Sequence, residues 1–359
     1  LSQVTGSFWL LYLYDVAEEI RLDEVARLLG APLADRNPVF RTPAPEYVRF
    51  EKPPVVEPLE TLVLETGEKF VARLNYFEYG VVSLQLELPF SFDWHWLVQM
   101  SNRWVASAEV ERLATAAVRR AVDRVRMAFH KPYDNWLAED YAIIQVNRQE
   151  GLLATTLISE HGPQIAQIVR GESVELSPAE QEEVLQSRLS YYPNDLLVAG
   201  WTAAFIYDTP EGTAPTLQLL EYANTQLLDF RHYDEMLTSV LADAYKLVER
   251  RRSWFARWGL IADAEKLNQI RLEVRELTER MDNSIKFLSD MFSARAYRLA
   301  AARVGVPDYR RLVDDKLRTA AELYHFLVEQ IHHGRTFVLE LAVVIILIID
   351  LIFLFRGKS

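Results

Sequence analysis

The sequence predicts an α+β fold: an N-terminal mixed domain with antiparallel strands, a long helical hairpin or coiled-coil-like region, and one C-terminal transmembrane helix. Three observations carry this. YGVVSLQLELPF (79–90) alternates Val82, Leu84, Leu86 and Leu88 with Ser83, Gln85 and Glu87, the period of a strand with one wet face. Past Pro215 the strand signal disappears and apolar residues recur at heptad spacing. The chain closes on TFVLELAVVIILIIDLIFLFRGKS (336–359), an apolar run of membrane-spanning length.

Composition bounds the function. With 359 residues the chain has room for two domains, and its hydrophobic and charged fractions are those of a globular protein. A net charge of −12 argues against non-specific binding to nucleic acid or an anionic surface. The absence of cysteine removes disulfides, thiol nucleophiles and cysteine-ligated zinc. The chain opens on Leu1, which leaves room for upstream residues, and its first apolar run has no basic segment before it, so it reads as a strand rather than a signal peptide.

Taken in order, FWLLYLY (8–14) is a buried strand and DEVARLLG (23–30) a short helix stopped by Gly30. The proline cluster of 31–58 reads as loop. KFVARLNYF (69–77) alternates like the strand after it, with Gly80 near the turn, so the two form a hairpin. Residues 107–129 form an amphipathic helix, acidic at its start and basic toward its end. DYAIIQV (140–146) is a strand. Ser177, Pro178 and Glu180 make a capping box, and 187–208 gives two apolar segments around Pro193-Asn194-Asp195.

The helical region shows a seam of Leu220, Ala223, Leu227, Phe230, Leu237, Leu241, Ala244 and Val248. Leu267, Ile270, Val274 and Leu277 continue the pattern, and Leu317, Tyr324, Leu327 and Ile331 resume it after a break at Gly305 and Pro307. A helical hairpin with these residues at the seam, within one chain or between chains, is the expectation.

From Phe337 to Phe355, only Glu340 and Asp350 are charged. Nineteen helical residues cover roughly 28 Å, close to the hydrocarbon thickness of a bilayer. Their Leu, Ile, Val and Phe content favours insertion by roughly 5–10 kcal/mol, more than the two acids cost. The run from Leu341 through Ile345 to Ile349 has no polar face. A single span is therefore predicted. Basic residues flank both ends about equally, so orientation rests on the lack of an export signal, which places the main domain on the cytosolic side, or the matrix side if mitochondrial.

YLYDVAEEIRLDEVARLL (12–29), FEYGVVSL (77–84) and LELAVVIILIIDLIF (339–353) resemble segments of the required-for-meiotic-nuclear-division family. The match is good at both ends and poor in the middle, where LLEYANTQLLDFRHYDEML (219–237) fits no motif of that family. The resemblance implies a membrane-anchored, oligomerising protein with no established catalytic residues. Eukaryotic members are mitochondrial and linked to translation there, a role the resemblance alone does not transfer.

Candidate chemistry is sparse. Asp229-x-x-His232, Glu322-x-x-His325 and Glu329-x-x-His332 place acid and imidazole one turn apart, the spacing of di-metal bundles, but heptad phase puts them on outer faces, as solvated pairs. ERRRSWFARW (249–258) reads first as a helix end with packed tryptophans, and SFDWHW (91–96) as a packed corner. No phosphate loop, GxGxxG, HExxH or nucleophile elbow occurs.

The resulting expectation is a non-catalytic, membrane-anchored scaffold or adaptor, divided into an α+β domain (1–210), a helical hairpin region (211–336), the span (337–355) and a short tail (356–359). Its partners would be the bilayer, further copies of itself and another protein, with no nucleic acid, cofactor or metal. One alternative is an oligomeric cation transporter with Asp350 in the membrane. Helical stalk and terminal span resemble magnesium channels of the cobalt/magnesium transporter type, although this chain has one span and lacks their Gly-Met-Asn signature. Another is an enzyme or ligand sensor in the N-terminal domain.

Overall fold

The computed structural model describes residues 3–30, 53–105, 107–249 and 291–323, with the isolated positions 272 and 275. It divides into two compact units, Leu1–His232 with Thr278–Arg310, and Tyr233–Leu277 with Arg311–Ser359.

The first unit is built on β1 (Val4–Ile20), one of the two middle strands of its sheet. β1 pairs on one side with β4 (Val81–Phe92), and β4 with β3 (Lys69–Tyr76) and then β2 (Val55–Val63). On the other side it pairs with β5 (Phe129–Asn147). Next to β5 comes β8 (Ala203–Asp208), the parallel neighbour, then β7 (Leu196–Ala199) and β6 (Arg188–Leu189). All eight strands form one mixed sheet in the order β2-β3-β4-β1-β5-β8-β7-β6.

β1 reads as a near-continuous apolar run because both of its faces are buried. Side chains alternate across a strand, so Phe8, Leu10, Tyr12 and Tyr14 enter the core with α1 (Leu22–Leu29), α2 (Trp94–Trp104) and α3 (Ala108–Val125), while Leu11, Leu13 and Asp15 point to the opposite face. Asp93 caps α2 by accepting from the Trp96 N–H at 2.9 Å, and the buried Trp94 stacks on His161, while His95 and Trp96 are exposed, so SFDWHW is a corner packed only in part. α4 (Ala154–Arg170) and α5 (Pro178–Gln186) carry the crossover toward β8, and Ser177 accepts from the Glu180 N–H as the capping box predicts.

α6 (Pro210–Glu249) begins at a Thr209 cap with Pro210 in its first turn. Its segment to His232 belongs to the first unit, with α7 (Met291–Val304). Here the structure corrects the sequence reading. Leu220, Ala223, Leu227 and Phe230 are buried as the heptad predicts, but Glu221, Asn224, Thr225, Gln226 and Asp229 are buried between them. A coiled coil leaves such positions in water. This stretch is a sheet-packed helix, buried on all sides, and the coiled-coil expectation fails because its polar positions find partners inside the protein: Glu221 at Asn75 and Gln85 of the sheet, Thr225 at Tyr79 and Gln226 at Tyr297 of α7.

The expected fold class is corrected with it. The fold is a mixed α/β sheet with helices on both faces. No helix among the described residues is long and apolar enough to cross a membrane, so the expected transmembrane helix has no support among them. Residues 337–355, with Phe337, Glu340, Leu341, Ile345, Ile349, Asp350 and Phe355, lie outside the described residues, as do Leu267, Ile270, Val274, Leu277, Tyr324, Leu327 and Ile331. In the second unit, residues 311–323 are helical, with Val313 and Ala320 buried and Leu317 half-buried. Lys316 bonds the Asp234 carboxylate and the Thr238 hydroxyl, each at 2.6 Å.

Gly80 closes the β3–β4 hairpin at φ 90°, and a Cβ there would lie 1.8 Å from the Ala17 carbonyl oxygen. Gly67 has a similar φ of 96° and open space around it. Gly80→Ala is therefore expected to lower stability in urea denaturation by about 3 kcal/mol, and Gly67→Ala by only about 1 kcal/mol.

Candidate functional site

The sheet face under α6 is polar at its centre. Strand register places Asn75 opposite Ser83 and Arg73 opposite Gln85, with Leu13 and Leu11 next in the same rows. Glu221 enters this patch with its side chain fully buried. Its carboxylate accepts from the amides of Asn75 at 2.8 Å and Gln85 at 2.9 Å. Burial pushes the Glu221 carboxyl above its ordinary range, opposed by the polar groups of Ser83, Asn75, Gln85 and Arg73. One turn along, Thr225 shares a 2.7 Å hydrogen bond with Tyr79, whose phenol burial raises well above the usual value.

The far end of this segment is held as well. Arg231 pairs with Glu139, and His232 Nδ1 lies 2.7 Å from the Asp15 carboxylate. From Glu221 to His232 is about 16 Å of helix, which matches the roughly 14 Å from β3 across β4 and β1 to β5. The helix thus crosses the sheet with a polar tie at each end. Burial raises the Asp15 carboxyl, and the His232 hydrogen bond opposes that shift. The sequence reading of Asp229 and His232 as a solvated pair is corrected: Asp229 is buried and His232 is tied to β1. The pairing with Asp15, more than two hundred positions away, has no local signal. Glu329 and residues 325–332 lie outside the described residues, as do 250–258 of the arginine–tryptophan stretch. Among the described residues no group of three or more His, Asp or Glu is placed to hold a metal ion.

A groove opens beside this crossing, on the α3 face. Asp15 pairs with Leu137, but Ala17 pairs with Pro132, so residues 133–136 bulge out of β5 opposite Val16. Lys131, at the start of the bulge, takes a φ of 46°, and its ammonium reaches Glu18 at 2.5 Å. The bulge and α3 enclose about 200 Å³, lined by Val16, Val122, Phe129, Pro132, Tyr133 and Trp136 with Arg119, Asp123, Arg126 and Asp134.

The groove wall is firmly built. The Trp136 indole N–H donates to the Tyr133 carbonyl at 3.1 Å, Arg119 covers the ring at 4.6 Å, and Tyr14 meets it edge-on. Burial pushes the Tyr14 phenol up to about 12, partly offset by its 2.8 Å bond to Thr115. Tyr133 stacks on His232 at 4.9 Å, so the groove and the helix crossing share a wall. The sequence missed this site: 130–139 lies between the elements assigned there, and HKPYDNW has the Pro-Asp-Asn composition of a turn.

A third feature lies at the β6 edge. Tyr191 and Tyr192, in the turn between β6 and β7, stand 50% and 49% exposed, and Met291 at the start of α7 is 76% exposed. Tyr191 meets Tyr192 and Phe292 edge-on at 4.7 and 5.2 Å.

With these features in place the chain can be put in a class, a mixed α/β sheet domain followed by helices. It belongs to the family described as "Uncharacterized protein MJ0711, N-terminal domain", whose profile matches residues 5–214, from within β1 to the first turns of α6. It is similar to "Uncharacterized protein MJ0711" of Methanocaldococcus jannaschii, with 20% identity over 197 residues, which is 55% of this chain and 60% of that relative. The chain thus spans less than two thirds of that relative's length. No solved structure matches. These findings correct the resemblance to the required-for-meiotic-nuclear-division family, to which neither match points.

Removing the Glu221 carboxylate would leave two buried amide groups without their acceptor, so Glu221→Ala is expected to destabilise by about 3 kcal/mol. Because its folded pKa is raised above the ordinary 4.5, the unfolded chain loses this proton first. The stability it contributes is full in acid and is lost as pH climbs through the raised value. Glu221→Gln cannot titrate, so the urea midpoint of wild type relative to this variant should fall as pH rises above the ordinary Glu range.

Proposed function

We propose that the protein is a non-catalytic adaptor that self-associates and presents its sheet domain to a protein partner. The observation that carries this reading is the aromatic cluster of Tyr191, Tyr192 and Phe292 with Met291 beside it. Tyrosine, phenylalanine and methionine are enriched in protein interfaces, where rigid rings bury much area for little lost side-chain freedom. Three of these side chains are about half exposed or more, at the end of a sheet whose last strand, β6, has only two residues. A short edge strand blunts open-ended strand pairing, which favours a closed contact between side chains.

Sedimentation velocity over a wide concentration range tests this proposal. The wild-type chain should show concentration-dependent assembly, and the Tyr191→Ser/Tyr192→Ser double variant should weaken it about tenfold or more, the usual weight of interface aromatic residues. A wild-type chain that stays monomeric throughout, or a double variant that assembles normally, would count against it.

A further inference from the structure

We infer that the groove at the β5 bulge is a binding site for a small zwitterion with an apolar side chain, of the α-amino acid class. The inference rests on the groove's charge pattern and is independent of the self-association reading.

The volume comes first. About 200 Å³ suits a compact molecule of roughly a dozen heavy atoms and is too small for a nucleotide or a peptide of several residues. Val16 and Phe129, both buried, lie at its base with Val122 and Pro132, below an exposed lining that is more polar than apolar. The Trp136 ring, held in place by Arg119, Tyr14 and its own N–H bond, gives a fixed aromatic wall for a side chain.

The charges decide the class. Arg119, Asp123 and Arg126 follow one another at four- and three-residue spacing on or just beyond α3, and Asp134 faces them from the bulge. Among the described residues none of the four has an ion-pair partner, although oppositely charged neighbours stand one helical turn away. A purely anionic ligand would meet Asp123 and Asp134, and a purely cationic one would meet Arg119 and Arg126. A zwitterion gives each pair an opposite charge over the same base. The bulge that places Asp134, Tyr133 and Trp136 interrupts an otherwise regular strand pair, and Lys131 beside it holds a left-handed conformation that a lysine rarely adopts.

Isothermal titration of the full chain separates the outcomes, with L-phenylalanine and L-leucine as zwitterions, 2-phenylethylamine as the cation alone and 3-phenylpropionate as the anion alone. The zwitterions should bind saturably and the two single-charge compounds at least tenfold more weakly. Arg126→Gln and Asp134→Asn, both at exposed positions and expected to fold normally, should each weaken zwitterion binding about tenfold or more, the size of one charge-assisted hydrogen bond. Absence of saturable zwitterion binding at millimolar concentration overturns the inference. So does equal binding of 3-phenylpropionate, which would make this an anion site. Zwitterion binding unchanged in both variants would place the ligand elsewhere and overturn it equally.

Discussion

The fold depends on one buried carboxylate. Glu221 lies on the sheet side of α6, taken from water and met there by hydrogen bonds from Asn75 and Gln85, with Ser83 and Arg73 beside it. A group buried in this way is a weak source of net stability but a strong source of geometry, because any other seating of the helix leaves the carboxylate and both amides unpaired. Apolar contacts alone would let α6 slide or rotate on the sheet. The tie at Glu221, with Thr225 to Tyr79 and His232 to Asp15, sets its register and its crossing direction.

Other features follow from that seating. β1 must be apolar on both faces, since α3 covers one and α6 the other, and its single buried acid, Asp15, sits where His232 arrives. At that same height β5 leaves register. The Tyr133 ring of the bulge stacks on His232, while Val16 and Trp136 face the groove. The groove is therefore walled partly by the residue that contacts the end of the helix crossing.

How much of this was legible depended on whether the signal was local. The β3–β4 hairpin, the helix over 107–129, the strand at 140–146 and the Ser177 cap are all present, because alternation, helical periodicity and capping act over a few residues. β2 was hidden in the proline-rich stretch 31–58, where Pro58 sits within an edge strand that tolerates it. α6 misled for an instructive reason. Its apolar residues keep heptad spacing, which puts Asp229 on an outer face and gives no sign that Glu221 and Asn224 are buried. The partners that Glu221 finds, Asn75 and Gln85, lie about 140 positions earlier, and a polar patch in mid-sheet looks the same in sequence as an ordinary wet face. The groove was illegible because Pro132, Asp134 and Asn135 have turn chemistry while belonging to a strand with a bulge. Asp15, one acid in an apolar strand, was the available hint.

Hydrogen–deuterium exchange across residues 220–232 tests the central claim most directly. If α6 is fastened to the sheet by its buried polar ties, amides of this segment should exchange as slowly as those of β1 and β4 and open with them in one cooperative step. Exchange of the segment well ahead of β1 and β4, as an independently opening helix, would contradict the account.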